Sequence, residues 1–168
     1  MMSRMAAIRA IGFAALALAG AARAEEPSGC AAFKWDIAQD QAALTAPGPA
    51  AISDGGALRA GAATKISLAP TEKIHFPLPP ERAPRPETFG AVVEWPAPAS
   101  GLYRISLSDA AWIDVIEDGA VAKPLAFSGA KDCPHIRKSL KFKLTGQKVV
   151  IQISNAAAPD IILVALPE

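Results

Sequence analysis

Two runs, Phe89-Gly-Ala-Val-Val-Glu-Trp95 and Gly101-Leu-Tyr-Arg-Ile-Ser-Leu107, decide the fold. In each, apolar side chains fall on every second residue: Phe89/Ala91/Val93/Trp95, then Tyr103/Ile105/Leu107. A strand sends successive side chains to opposite faces, so this spacing writes one apolar face per run. Pro-Ala-Pro-Ala-Ser-Gly at 96–101 separates the two as a turn. The pattern continues outward in both directions. Ile66/Leu68 and Ile74/Phe76/Leu78 precede it, Leu140/Phe142/Leu144 and Val149/Ile151/Ile153 follow, and an apolar run closes the chain from Ile161 to Leu166. Further turn signals stand at Glu117-Asp118-Gly119, Thr145-Gly146 and Asn155 to Pro159. Eight or nine short strands without intervening helices predict an all-β fold, an antiparallel β-sandwich of jelly-roll-like form. A parallel α/β sheet would need helices between its strands.

One short N-terminal helix is expected beside the sandwich. Asp36 followed by Gln39 is an Asp version of the capping box, and Asp40 falls within the first turn. Ile37 and Leu44 share one helical face, and Pro47 stops the run. Residues 47 to 63 are Ala, Gly and Pro with little pattern and read as loop. Pro77-Leu-Pro-Pro-Glu-Arg-Ala-Pro-Arg-Pro86 reads as a stiff crossing over one domain.

The first 24 residues carry the marks of a cleaved signal peptide. Arg4 and Arg9 precede thirteen uncharged residues, Ala10 to Ala22, and Ala22-Arg-Ala24 has the small-x-small spacing of a cleavage site. That apolar stretch is shorter than the ~20 residues a membrane span needs. The expected organisation is signal 1–24, helix and loop 25–63, and sandwich 64–168, with 25–168 as one domain. Loss of Arg4, Arg9 and Arg23 would leave 14 of the 17 basic residues against 16 acidic ones, a balance of −2. Nothing in that balance marks a nucleic-acid binder. After Ala24 the longest apolar run is Ile161 to Leu166, so no membrane span is expected.

Cys30 and Cys133 both lie in the expected mature part, and a pair of cysteines in an exported chain favours one disulfide over two unpaired thiols. Their sequence separation of 103 would make the bridge contribute about 4–5 kcal/mol at most in the loop-entropy picture. It would staple the helix to the distant sandwich. The compartment implied is oxidising, a periplasm or the exterior.

Three stretches carry a resemblance. Gly101-Leu-Tyr-Arg-Ile-Ser-Leu-Ser108, Ala111-Trp-Ile-Asp-Val-Ile-Glu-Asp-Gly119 and Lys141-Phe-Lys-Leu-Thr-Gly-Gln-Lys-Val-Val-Ile-Gln-Ile-Ser154 resemble the bacterial pre-peptidase C-terminal type of β-sandwich. That family has a Gly-x-Tyr strand, a strand with Asp before an Asp-Gly turn, and a late Phe-x-Leu-x-x-Gly hairpin. The likeness covers roughly residues 88 to 166. It implies a noncatalytic accessory module; such modules are usually appended to an enzyme, and no enzyme portion is expected within these residues.

Catalytic and cofactor motifs are absent from the sequence: no Gly-x-Ser-x-Gly, Walker loop, His-Glu-x-x-His or calcium loop is written. Small exported chains of this kind also resemble some labelled homogentisate dioxygenase, an iron enzyme with two histidines and a carboxylate on a much longer chain. With only His75 and His135 here, both would have to ligate, and none would remain for proton transfer. The favoured reading is a noncatalytic binding module of the cell envelope that engages an envelope polymer or a protein partner. A small enzyme or metal protein is the alternative. No cofactor and no metal is expected.

Two surfaces are candidates for binding. Alternation puts Arg137, Ser139, Lys141 and Lys143 opposite Leu140, Phe142 and Leu144, as a basic stripe facing an anionic partner. If Ser108-Asp109-Ala110 is a three-residue hairpin turn, Arg104 lies opposite Asp114, with Trp112 on the same face. An aromatic plate with a guanidinium and a carboxylate would read a sugar or a peptide.

Overall fold

A computed structural model describes residues 25–96, 98–146 and 148–168; the expected signal peptide lies outside them. Two sheets pack face to face. The six-stranded sheet has the order β1-β2-β11-β5-β9-β8, with β1 Ala50–Ile52, β2 Thr64–Ser67, β11 Asp160–Pro167, β5 Gly101–Leu107, β9 Lys138–Leu144 and β8 Ala126–Gly129. The five-stranded sheet has the order β3-β4-β10-β6-β7, with β3 Ala69–Pro70, β4 Phe89–Trp95, β10 Val149–Ala156, β6 Trp112–Glu117 and β7 Ala120–Ala122. Every pairing is antiparallel except β1 with β2. The one α-helix, α1, spans Ala38–Leu44. The fold is the expected all-β sandwich.

The alternating apolar faces meet between the sheets. Val93, Trp95, Ile105, Leu107, Phe142, Leu144, Ile151, Ile153 and Leu163 are all fully buried there. Trp95 and Tyr103 pack edge to face at 5.0 Å, and the Tyr103 hydroxyl donates to Ala99 O (2.8 Å), pinning the β4–β5 connection. Asp118 and Gly119, both at positive φ, close the two-residue β6–β7 hairpin announced by their sequence.

A second cluster lies on the outer face of the six-stranded sheet. Phe33, Ile37, Leu44 and Ile136 bury Val164 and Leu166 beneath α1. Strand β11 is therefore covered on both faces, which explains its unbroken apolar run. Cys30 and Cys133 form a disulfide here, with Cα atoms 4.7 Å apart, joining the segment before α1 to the segment before β9. The helix begins at Ala38, whose N–H donates to Asp36 Oδ1 (2.9 Å). Asp40 falls in the first turn as expected. It is 0 % exposed and faces the sheet.

The Pro-rich stretch covers the outer face of the five-stranded sheet. Residues 74–78, expected as a strand, pair with no sheet, and the chain bends at 77–78. They belong to a strap over 74–88 whose ends meet through Thr71 and Thr88: Thr71 N–H donates to Thr88 O (2.8 Å), and their hydroxyls are bonded (3.1 Å). Three polar side chains on the sheet hold the strap by its backbone. Leu78 N–H donates to Gln152 Oε1 (2.9 Å), Glu81 N–H to Asp114 Oδ2 (3.2 Å) and Arg85 N–H to Asn155 Oδ1 (2.8 Å). Asn155 sits at positive φ where the β10–β4 register slips, so a bulge aims its amide at the strap. The expected turn at Asn155 thus starts later, since β10 runs on to Ala156. Gly90 is needed beneath: a Cβ there would lie 2.5 Å from Ile153 O.

The expected loop 47–63 contains more order than its composition suggests. It supplies β1 to one sheet, then lies along β4 of the other, with Leu58 N–H donating to Glu94 O (2.8 Å) and Val92 N–H to Asp54 Oδ1 (2.7 Å). This loop closes one lateral edge of the sandwich. The opposite edge, between β8 and the β6–β7 hairpin, carries the site described next.

Candidate functional site

The expected pairing of Arg104 with Asp114 does not form. Both neighbours of β5 are taken, by β11 and β9, so the chain after Leu107 crosses to the other sheet instead of turning back. Period-two alternation is the same for a hairpin and for a crossover, and so could not tell them apart. Arg104 lies opposite Lys141 and Leu166, and its Nη2 is 3.0 Å from Asp40 Oδ2 beneath α1. Ser106 Oγ donates to Asp40 Oδ1 (2.7 Å) and bonds Ser139 Oγ (2.8 Å). Asp114 is 2 % exposed in the other sheet, opposite Gln152, and accepts Trp112 Nε1 at 2.7 Å. Both aspartates are structural anchors.

The basic stripe keeps its expected parity but not its expected exposure. Ser139 is fully buried. Lys141 pairs with Glu168 and lies 4.6 Å from the centre of the Trp35 ring. Arg137 pairs with Glu26, whose carboxyl is held below its usual range first by the hydrogen bond from Arg137. Lys143 alone of the stripe is exposed without a carboxylate in salt-bridge range among the described residues. The N-terminal segment and the C-terminus have covered the rest.

An open groove of about 550 Å³ runs along the uncovered lateral edge, lined by Lys34, Arg82, Trp112, Phe127, Arg137 and Lys138 among others. It deepens into a recess of about 160 Å³ whose walls include Trp112, Phe127, Leu140 and Phe142. The groove exists because the edge strands are short: β7 covers only Val115–Glu117 of β6, leaving Trp112 to Asp114 without a neighbour on that side. On the facing edge, Phe127 has the inward parity of Leu140, yet it is 60 % exposed because no strand of the other sheet reaches it.

Cations surround the aromatics. Trp112 lies between Arg82 (5.6 Å to the ring centre) and Lys138 (5.1 Å), and Lys34 stands 5.1 Å from the centre of Phe127. Among the described residues, none of Lys34, Arg82 and Lys138 has a carboxylate within salt-bridge distance, whereas Lys123, Lys131, Arg137, Lys141 and Lys148 each have one. Burial lowers the Lys138 amine from its ordinary range. Repulsion from Arg82 and Arg137 lowers it further, against an opposing contribution from Asp114.

Of the residues expected to bind, this edge gathers Trp112, Arg137 and Asp114; Arg104, Lys141 and Lys143 lie elsewhere. Lys34, Arg82, Phe127 and Lys138 were not among the residues expected to bind. Lys138 did leave a signal, since it shares parity with Leu140, Phe142 and Leu144, where a lysine is out of place. His75 and His135 are both exposed, His135 in a turn at positive φ. Among the described residues, no group of three or more His, Cys, Asp or Glu side chains is placed to hold a metal ion. Comparison of the chain with protein-family models, curated proteins and solved structures found no match. The resemblance to the pre-peptidase C-terminal sandwich therefore rests on its three quoted stretches.

Proposed function

We propose that this chain is a noncatalytic, exported binding module of the cell envelope, and that its groove engages an anionic envelope polymer. The observation that carries this reading is the set Lys34, Arg82 and Lys138, three cations without carboxylate partners arranged on two aromatic rings in an open groove. Cations left unneutralised by their own chain favour an anionic ligand. Flat, half-exposed rings offer contact to sugar rings at little conformational cost. An acidic polysaccharide supplies both chemistries, a carboxylate and an apolar ring face, in one repeating unit. The disulfide fits the oxidising compartment that such a polymer implies. Relative to the basic stripe, the groove is favoured because Arg137 and Lys141 are already engaged by Glu26 and Glu168.

The test is calorimetric titration with polygalacturonate, which carries one carboxylate per sugar, against dextran as the neutral control. Binding of the first, weakening as salt rises, is expected. A hydrogen bond to a charged group contributes about 1.5–3 kcal/mol, so Arg82→Gln should weaken binding about tenfold or more. Equal affinity for both polymers, or retention of an envelope protein and neither polymer, would overturn the reading.

A further inference from the structure

Lys138 differs from the other lysines in its surroundings. Lys138 lines both the groove and the apolar recess behind it, and among the described residues its Nζ makes one hydrogen bond, a long one to Ala111 O (3.4 Å). Lys65, Lys123, Lys131, Lys141 and Lys148 all have a carboxylate partner; Lys138 has none among the described residues. The charged groups around it come from every neighbouring element. Arg82 and Glu81 belong to the strap, Asp114 to β6, Arg137 to its own strand's approach, and Lys34 and Glu26 to the N-terminal segment. Glu81 and Glu26 are occupied by Lys123 and Arg137, while Asp114 accepts from Trp112 and from the strap backbone. What remains beside Lys138 is mainly apolar surface and positive charge.

We propose that Lys138 is a covalent capture site for small anionic carbonyl compounds, with Arg82 holding the anion and Nζ in the recess meeting the carbonyl carbon. Desolvation and neighbouring cations are the two conditions that make a lysine amine nucleophilic near neutral pH. Both act here, and both lower its pKa. In the step itself, neutral Nζ bonds to the carbonyl carbon as the C=O π bond opens to a carbinolamine. The oxygen then leaves as water, taking both amine protons, and an imine joins Nζ to the former carbonyl carbon. No oxidant or reductant is consumed. The inference rests on the groove being a site for anions, and extends it from reversible binding to covalent capture.

The test uses the intact disulfide-bonded protein with pyridoxal 5′-phosphate, an aldehyde bearing a phosphate, trapped by borohydride and mapped by peptide mass. Lys143, exposed and away from the groove, is the internal reference. Lys138 should take the label about fivefold or more ahead of Lys143 near pH 7, as a desolvated amine beside cations would. Inorganic phosphate and Arg82→Gln should each slow Lys138 and leave Lys143 unchanged, and the advantage should vanish in denaturant. Equal labelling of the two lysines, or an unlabelled Lys138, would overturn the proposal. Titrating polygalacturonate into the same unaltered protein separates it from the binding reading: polymer binding without selective label at Lys138 would bring down the capture site alone. Selective labelling of Lys138 in a protein that ignores polygalacturonate would leave the capture site standing and bring down the polymer reading alone.

Discussion

On the six-stranded sheet the outer face lies beneath chain that is covalently stapled by Cys30–Cys133; on the five-stranded sheet it lies beneath a strap held without a covalent link, by hydrogen bonds, the Glu81–Lys123 ion pair and side-chain packing. Each covering has a buried aspartate at its centre. Asp40 faces a guanidinium, Arg104, and a serine hydroxyl. Asp114 faces an indole N–H and a backbone N–H. The difference teaches how the coverings are secured. The helical layer adds an apolar cluster and an ion pair to the disulfide, whereas the strap, with five prolines among residues 74–88, lacks many N–H groups and directs those of Leu78, Glu81 and Arg85 to side-chain acceptors.

The contrast can be broken from either side. The largest effect is expected from Asp40→Ala, which leaves Arg104 charged and largely buried without its partner. Breaking such a pair costs about 3–5 kcal/mol, and urea unfolding should show it. Replacing both cysteines by serine removes the staple and should cost about 2–5 kcal/mol, read by thermal unfolding of the double variant. Asp114→Ala orphans the Trp112 and Glu81 donors, and about 1–3 kcal/mol is expected for a buried group left unbonded. Hydrogen exchange should then rise at Glu81 and not at Gln41 in α1. An Asp114→Ala loss equal to that of Asp40→Ala would erase the distinction between the two coverings. The smallest effect belongs to Lys143→Glu, whose exposed position implies a change of under about 1 kcal/mol and no change in polygalacturonate binding.

The sandwich was legible because its inner faces follow period two in runs such as Phe89 to Trp95, Tyr103 to Leu107 and Leu140 to Leu144. The disulfide was legible because the signal-like residues 1–24 made export the expectation, under which two cysteines leave few alternatives. What alternation could not convey was which strands pair. Arg104 and Asp114 sit five residues either side of 109 in a sequence that fits a hairpin, yet they serve opposite outer faces. Outer-face residues look like solvent-facing ones in the sequence, since Ser106, Ser139, Gln152 and Asp114 are all polar. Only the coverings, α1 and the strap, bury them. The strap's own strand-like spacing, Ile74/Phe76/Leu78, records packing on that face and not membership of a sheet. The groove was hidden for a related reason: Lys34, Arg82, Trp112 and Lys138 come from four separate segments, and short edge strands bring them together.

The central claim is that the lateral groove, and not the strand β9 stripe, receives an anionic ligand. It is tested most directly by titrating polygalacturonate into three forms side by side: the unaltered protein, Lys34→Gln with Arg82→Gln, and Lys141→Glu with Lys143→Glu. The expected result is that the groove variant loses about tenfold or more in affinity at an unchanged melting temperature, while the stripe variant binds nearly as the unaltered protein does. Loss of binding in the stripe variant, with the groove variant unaffected, would contradict it.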